Sequence, residues 1–502
     1  MSTTRARRNA ITSLSWARVL ATASAAGCLA AVLTSPALSA AASERLPTPP
    51  IAVASASGWG KAIKIPGIGT LNLGGEASAT AISCSSAGNC VTGGSYTDAM
   101  KDDQAFLAVQ SKNRWRNAFE VPGTASLNAR GDAEVEAISC PSAGACAATG
   151  TYQAASGALE VFVVSERQGR WAKATEVRGF GSLNAGEYGE VDSISCAAAG
   201  YCTLGGSYLD GSDQFQAFLA TEMNGHWSTA VEVPGIASLN DGGHAQVSEV
   251  SCRKPGYCTA GGFTRLSSTV YTAFVIGEKK GHWGNAQQLP GLSGLNVGGN
   301  AGLNALSCAS AGNCVAGGSY RPASGTQAYL AVEMNGHWGN AAEAPGTGSL
   351  NQGGSAQVTA ASCPAAGACA AGGFYLNSSG HLGLFLTSQH NGHWGKAEAM
   401  PGLQTLNKGS SAQIYSLSCS SAGNCSVGGY YENSSFREFA YVITESAGHW
   451  AKAQPVPGIS SVSAGGDSYA DQVSCPSDGH CAASGFGSDA SHRGVAIVVS
   501  RT

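Results

Sequence analysis

Short runs of alternating apolar and polar residues, separated by turn-forming residues, fill the chain from about residue 57 to residue 502. Runs of this length, bounded by Gly, Pro, Ser and Asn, predict β-strands. No stretch keeps the 3.6-residue period of an amphipathic helix. The chain is therefore predicted to be all-β. One unit of about 56 residues shows four such runs, at 135–140, 146–152, 159–165 and 171–177.

The four-strand unit recurs eight times along the chain. Its tryptophan returns every 56 residues, with a single interval of 55. Four short strands per unit, at a period near 50 residues, are typical of the blades of a β-propeller. We expect no separate catalytic domain, because the units account for nearly all of residues 57–502. The repeated tryptophans, expected to fill the space between blades, are Trp59, Trp115, Trp171, Trp227, Trp283, Trp338, Trp394 and Trp450.

The two ends of this region complement each other. The last unit ends with the strand predicted at 494–500 and has no fourth strand after it. The first unit is preceded by an additional strand at 59–66. If that strand pairs beside 494–500, it completes the eighth blade and hides the open edge of its sheet. The sequence therefore predicts an eight-bladed β-propeller whose N-terminal strand closes the last blade.

Cysteines recur in pairs separated by six positions, one pair in each unit. A structural zinc site needs four ligands brought together, whereas these pairs are held apart on different blades. An exported chain with sixteen paired cysteines favours disulfides, each contributing about 2 kcal/mol of stability. The predicted disulfides join Cys84 to Cys90, Cys140 to Cys146, Cys196 to Cys202, Cys252 to Cys258, Cys308 to Cys314, Cys363 to Cys369, Cys419 to Cys425 and Cys475 to Cys481.

Residues 1–42 resemble an export signal. They open with basic residues, continue with an apolar stretch from about 19 to 33, and end in small residues that offer a cleavage site. A short Pro-containing linker follows at 43–56, and the propeller occupies 57–502. The sequence therefore predicts a secreted, extracellular protein without a membrane span. The choice between the general and the twin-arginine export route stays open.

The charge balance narrows the range of partners. The chain has 28 Lys and Arg and 32 Asp and Glu, and only 12% of its residues are charged. Removal of the leader's four Arg would leave 24 basic and 32 acidic residues, a net charge of −8. Nucleic acids and anionic membranes require a basic surface, so neither is expected as a partner. We expect a monomer unless the protein belongs to a larger assembly.

A pair of glycines follows the second predicted strand in most units, usually with an aromatic residue close behind, as in Gly205-Gly206 and Tyr208. This doublet, with a Trp some twenty residues later, resembles the repeat of kelch-type propellers in secreted bacterial proteins. The Tyr that precedes the kelch Trp is replaced here by residues such as Ala220 and Ala331. The turn before the Trp also resembles an Asp-box without its Ser-x-Asp pattern. The resemblance implies architecture alone and carries no catalytic residue.

The connection between consecutive units has the pattern Pro-Gly-x-x-x-Leu-Asn-x-Gly-Gly, as in residues 234–243. In propellers this connection lies on the face where ligands usually bind, and a ring of Asn amides suits sugar hydroxyls. Alternatively, each Asn holds its own turn through a side-chain to backbone hydrogen bond. The candidate ligand-binding residues are Asn72, Asn128, Asn184, Asn240, Asn296, Asn351 and Asn407.

Three classes of function fit these features. Near-identical repeats favour a non-enzymatic binding propeller that recognises a carbohydrate or cell-surface polymer at several weak sites, as a lectin does. The alternatives are a scaffold that docks another secreted or cell-surface protein, for instance in an antagonistic toxin assembly, and a propeller glycoside hydrolase or polysaccharide lyase. We expect no catalytic residue, no cofactor and no metal. The Gly-His-Trp histidines would lie too far apart to share an ion.

An enzyme would require residues that differ between the repeats. The loops between the second and third strands vary most, although solvated loop charge explains their composition equally well. Their candidate residues are Asp98, Asp102, Asp103, Asp210, Asp213, Glu432, Arg437, Asp489, His492 and Arg493.

Overall fold

The computed structural model describes residues 58–502 and shows eight antiparallel sheets, which we number as blades 1 to 8 in chain order from residue 77. The all-β, eight-bladed propeller predicted from the sequence is confirmed. The leader at 1–42 and the linker at 43–56 lie outside the described residues. Within the described residues, no helix is long and apolar enough to span a bilayer.

Each blade has three long strands and an interrupted fourth strand. The first strands are Ala77–Ser86, Ala133–Ser142, Gly189–Ala198, Ala245–Lys254, Gly302–Ser310, Ala356–Ala365, Ala412–Ser421 and Ser468–Ser477. The second strands are Asn89–Thr97, Ala145–Gln153, Tyr201–Leu209, Tyr257–Ser267, Asn313–Tyr320, Ala368–Leu376, Asn424–Glu432 and His480–Ser488. The third strands are Asp103–Ser111, Leu159–Arg167, Phe215–Met223, Val270–Lys279, Gln327–Met334, Leu382–His390, Glu438–Ser446 and Gly494–Arg501.

In blades 1 to 7 the fourth strand consists of two short pieces, and both pair with the third strand. The pieces before the break are Arg114–Trp115, Arg170–Trp171, His226–Trp227, His282–Trp283, His337–Trp338, His393–Trp394 and His449–Trp450. Those after it are Phe119–Glu120, Thr175–Glu176, Val231–Glu232, Gln287–Gln288, Ala342–Glu343, Glu398–Ala399 and Gln454–Pro455. One helical turn then starts each connection, at Ile68–Leu71, Thr124–Leu127, Phe180–Leu183, Ile236–Leu239, Leu292–Leu295, Thr347–Leu350, Leu403–Leu406 and Ile459–Val462.

The eighth blade takes its fourth strand, Ile63–Lys64, from the beginning of the described chain. Ile63 lies opposite Val498, and the Gly60 amide donates to the Ser500 carbonyl at 2.8 Å. The added strand covers the third strand of this blade, whose backbone groups would otherwise face water.

The first strands form the inner ring of the propeller, since each contacts the first strand of the next blade and the eighth contacts the first. An apolar cluster fills each of the eight interfaces between neighbouring blades. Each of the eight repeated tryptophans packs against one of these clusters, as Trp171 does between blades 1 and 2. The expectation that they fill the space between blades is confirmed.

The glycine doublets have a steric cause. At Gly206, an added Cβ would lie 2.0 Å from the carbonyl oxygen of Glu190 on the neighbouring first strand. That strand bulges between Val191 and Ser193, which brings its backbone against the second strand. A side chain at Gly206 would therefore displace the bulge.

A closed circle of hydrogen bonds joins the blades near the inner ring. Every first strand carries a Ser before its Cys, and the Ser hydroxyl accepts the backbone N–H of the Cys in the next blade. The distances are 2.9–3.0 Å, and Cys84 of blade 1 completes the circle by donating to Ser474 of blade 8. The acceptors are Ser83, Ser139, Ser195, Ser251, Ser307, Ser362, Ser418 and Ser474.

All eight predicted disulfides are present, each linking positions six residues apart with Cα atoms 3.9–4.2 Å apart. Each closes the hairpin between the first two strands of a blade. These hairpin turns lie beside the turns that precede the tryptophans, as the hydrogen bond from Gly169 to Gly144 shows. We call this end of the blades the disulfide face. The opposite end, with the connections and the loops between second and third strands, is the loop face.

Deletion of residues 58–66 should lower the free energy of unfolding by at least about 3 kcal/mol, the typical cost of removing one buried Trp. The deletion removes Trp59, which is 3% exposed, and uncovers the edge of the eighth blade. Thermal unfolding measures the effect, and deletion of the linker at 43–56 is the control. Equal melting temperatures for the two deletions would contradict the stabilising role of this strand.

Candidate functional site

The Asn residues of the connections lie on the loop face, and the protein itself uses their side-chain amides. Asn240 donates to the Phe215 carbonyl at 3.1 Å and accepts the His244 amide at 2.7 Å. Its oxygen also lies 3.3 Å from the Thr264 hydroxyl. One side chain thus ties the third strand of blade 3 to the connection and to the second strand of blade 4. Asn240 is 6% exposed.

The other predicted Asn residues make the same contact. Each donates to a backbone carbonyl within one residue of the start of a third strand, as Asn240 does. The donors are Asn72, Asn128, Asn184, Asn296, Asn351 and Asn407, at 2.9–3.1 Å. The alternative in which the Asn holds its own turn accounts for these contacts. A role in ligand binding stays a prediction.

The variable loops use their first polar residue to close their own turn. Asp210 accepts the amides of Ser212 and Gln214 at 2.8 and 3.1 Å. Asp98 and Asp489 make the equivalent contacts, and the Arg493 amide lowers the pKa of Asp489 by hydrogen bonding to its carboxylate. These hydrogen bonds give Asp98, Asp210 and Asp489 a local role in three separate blades. The remaining candidate residues of these loops are Asp102, Asp103, Asp213, Glu432, Arg437 and His492.

The inner ring carries an acidic group that the sequence reasoning missed. Asp192 of blade 3 accepts both of its hydrogen bonds from the Gln246 amide of blade 4 at 2.7 Å, and Ser193 donates to Glu249 at 3.2 Å. Alignment of the eight first strands would have revealed acids where other blades carry neutral residues. The acids of this ring are Glu134, Glu136, Glu190, Asp192, Glu249 and Asp471.

Burial raises the pKa of three of these carboxyls, those of Asp192, Glu249 and Asp471. It raises the pKa of Glu249 to about 8. It raises the pKa of Asp471 to about 7, with a further contribution from the negative charge of Glu134. The pKa of Asp192 is raised first by burial and then by neighbouring acids such as Glu190. The inner ring therefore retains protons that an unfolded chain would release at neutral pH.

The disulfide face holds a cavity of about 390 Å³ between blades 1 and 2. Its volume is in the range of small-ligand sites, and its lining mixes aromatic and polar side chains. The side chains that bear on its chemistry are Asn89, Val109, Arg116, Phe119, Glu166 and Trp171.

Glu166 is the distinctive group of this cavity. It lies on the third strand of blade 2 directly opposite Trp171, and it is only 6% exposed. Among the described residues, no hydrogen bond to its carboxylate is found. Burial alone raises the pKa of the Glu166 carboxyl. The indole nitrogen of Trp171 is likewise buried without a partner. The Glu166 side chain lines the cavity, so a ligand hydroxyl or water in the cavity can donate to its carboxylate.

The position of Glu166 repeats around the propeller. The equivalent residues of blades 1 to 7 are all buried, and Arg501 takes this place in blade 8. Three of them contact the preceding blade: Gln110 bonds Ser500 at 3.1 Å, Arg167 pairs with Glu222 at 3.2 Å, and Ser388 bonds Glu445 at 3.1 Å. An alignment of the third strands shows this repetition. The residues are Gln110, Glu166, Glu222, Glu278, Glu333, Gln389 and Glu445.

No protein family model matches the chain, and no curated protein matches it in sequence. Among solved structures it is similar to Sqt1 of Chaetomium thermophilum, at 11% identity and TM-score 0.47, over 87% of this chain and 97% of that one. It is also similar to a PL25 ulvan lyase (11% identity, TM-score 0.39, 73% and 90% covered) and to the Hadza microbial sialidase Hz136 (8%, 0.34, 64% and 66%). Similarity at this level carries no inference about function.

Replacement of Asn240 by Ala should lower the free energy of unfolding by about 1–3 kcal/mol, because it leaves buried backbone groups without partners. Chemical denaturation of wild type and variant measures the loss. Asp241→Ala is the control, since the neighbouring Asp241 side chain is exposed. Unchanged stability in Asn240→Ala would contradict the structural role and return attention to ligand binding at the Asn ring.

The free energy of unfolding should rise as the pH falls from 8 to 6.5. The folded protein takes up protons at Glu249 and Asp471 in this window, whereas the carboxyls of the unfolded chain stay ionised. The gain should be on the order of 1 kcal/mol or more. Below pH 6.5 the gain is opposed by His244, whose pKa burial lowers to about 4.

Denaturation curves across this pH range check the effect. Glu249→Gln should raise stability at pH 8 and reduce the gain on acidification, since it removes one of the titrating groups. A wild-type protein whose stability falls between pH 8 and 6.5 would contradict the inner carboxyls as the source.

Proposed function

We propose that this protein is a secreted, non-enzymatic binding propeller that recognises a carbohydrate. The observation that supports this most directly is the cavity between blades 1 and 2, where the buried Glu166 carboxylate has no donor among the described residues. The site lies on the disulfide face, not on the loop face where the Asn ring lies.

The chemistry of the cavity suits a sugar. A pyranose carries hydroxyls that donate and accept hydrogen bonds, and it carries C–H groups that pack against apolar side chains. Glu166 offers an acceptor, while Arg116 offers donors from blade 1. Phe119 and Trp171 offer apolar and aromatic surface. A ligand hydroxyl can donate to the Glu166 carboxylate without any charge on the ligand.

Glycan-array binding by the exported, oxidised protein tests the proposal. Wild type should bind a set of structurally related glycans. Glu166→Gln should weaken that binding about tenfold or more, because it replaces a charged acceptor by a neutral one in a buried site. Glu222→Gln is the matched control: it makes the same change at the same repeat position, but Glu222 already pairs with Arg167 at 3.2 Å. Its glycan binding should equal that of wild type.

Three outcomes would contradict the proposal. If no glycan binds, the carbohydrate assignment fails and protein docking becomes the leading function. If both Glu variants bind like wild type, the site lies elsewhere. If mass spectrometry finds bound oligosaccharides cleaved, the protein is an enzyme.

A further inference from the structure

Positive charge gathers on the disulfide face, although the chain as a whole is slightly acidic, with 28 Lys and Arg against 32 Asp and Glu. Every blade presents on this face the hairpin closed by its disulfide, and blades 1 to 7 also present the turn between the third strand and the tryptophan. Among the described residues, these turns contain one Asp or Glu, Asp478, and seven Lys or Arg. The seven cations are Lys112, Arg114, Arg167, Arg170, Lys254, Lys279 and Lys280.

The cations of blades 1 and 2 lie beside the cavity of about 390 Å³. Arg170 stands between Gly169 and Trp171, and both of these neighbours line the cavity. Arg114 pairs with Ser111, which also lines it. We give the name basic rim to the four cations that line the cavity or adjoin its lining and have no acidic partner: Lys112, Arg114, Arg116 and Arg170.

The protein itself does not neutralise the basic rim. All four side chains are exposed, and none of them has an ion pair within residues 58–502. Arg167 differs, since it pairs with Glu222 at 3.2 Å. In the described part of the chain, Glu166 is the only acid that lines the cavity. A cleft surrounded by charge of one sign attracts ligands of the opposite sign, so the cavity favours an anion.

The residues of the cavity narrow the kind of anion. Three of the four rim cations are Arg, whose planar guanidinium forms paired hydrogen bonds to carboxylate and phosphate groups. In the wall of the cavity, Glu166 can accept from a hydroxyl and Trp171 offers aromatic surface. An acidic carbohydrate supplies both hydroxyls for the wall and an anionic group for the rim. An acidic peptide supplies anionic groups without a ring of hydroxyls.

We propose that the ligand of the cavity between blades 1 and 2 is an acidic carbohydrate, whose hydroxyls bind Glu166 and whose anionic groups bind the basic rim. The inference rests on the proposed function, since it names the class of ligand for the same cavity. The negative charge of the whole chain does not oppose it, because the cations are concentrated on the face where the cavity opens.

Matched pairs of polymers test the charge requirement, with titration calorimetry on the oxidised protein as the measurement. Dextran sulfate is compared with dextran, and polygalacturonate with its methyl ester, so that each pair shares a sugar backbone and differs in charge. At least one acidic polymer should bind, and its neutral counterpart should bind about tenfold more weakly or not at all. An increase from about 0.1 M to about 1 M NaCl should weaken acidic-polymer binding, because the Debye length falls from about 10 Å to about 3 Å.

Three results would overturn the inference. If neutral carbohydrates bind as well as acidic ones, in these pairs or on the glycan array, this inference fails and the proposed function stands. If polyglutamate or duplex DNA binds as tightly as the acidic carbohydrates, the face binds polyanions in general and the assignment to carbohydrate fails. If no carbohydrate binds in either experiment, the proposed function and this inference fail together.

Two double variants locate the charge that matters. Arg114→Gln combined with Arg170→Gln removes two charges from the basic rim and should weaken acidic-polymer binding about tenfold or more. Lys279→Gln combined with Lys280→Gln is the matched control, since it removes the same charge from the same face in blade 4 and should bind like wild type. Melting temperatures show whether both variants are folded. A rim variant that binds like wild type, or a control that loses as much binding, would overturn the role of the rim.

Discussion

The hydrogen bond from each Cys amide to the Ser of the preceding blade holds the architecture together. A single blade has apolar side chains on both faces of its sheet, and they must be buried against another layer. Here each face is covered by the next blade, and the circle of eight Ser–Cys bonds sets the register of that contact at the inner ring. The register places each Trp in an apolar cluster between two blades and each buried Glu or Gln beside the preceding third strand. The circle is closed by the backbone N–H of Cys84 in blade 1, which donates to the Ser474 hydroxyl of blade 8.

This packing also buries a Glu or Gln side chain in each of blades 1 to 7. The proposed binding site contains one of these side chains, Glu166. Blades 2, 3, 4, 5 and 7 carry a Glu at this position, and a carboxylate is expensive to bury unless a donor meets it. Two interfaces supply that donor from the preceding blade, Ser388 to Glu445 and Arg167 to Glu222. Where the preceding residue is Val109, the carboxylate of Glu166 borders a cavity instead. Repetition thus fixes the position of the buried Glu or Gln, while its surroundings differ from one interface to the next.

The two faces of the propeller differ in structure: polar side chains fix the loops on one, and cavities lie between blades on the other. On the loop face, the repeated Asn side chains form hydrogen bonds within the protein that fix the glycine-rich connections. The first Asp of the variable loops likewise accepts hydrogen bonds from its own turn. On the disulfide face, short hairpins closed by Cys pairs leave room between neighbouring blades. Residues repeated for stability therefore lie on the face where a ligand was first expected. The cavities lie on the other face.

The sequence by itself determined the eight-bladed fold, the eight disulfides and the place of tryptophan between blades. Each of these follows from local pattern: strand-length runs, turns, and a 56-residue period that has few other structural solutions. The Asn ring was also visible, but whether its amides face a ligand or a backbone carbonyl depends on how the connection folds over the next blade. The cavity at Glu166 could not be predicted from local sequence pattern, since Val109 and Glu166, which both line it, lie 57 positions apart. Only tertiary structure brings these two side chains together, because the empty space between them results from the packing of one blade against another.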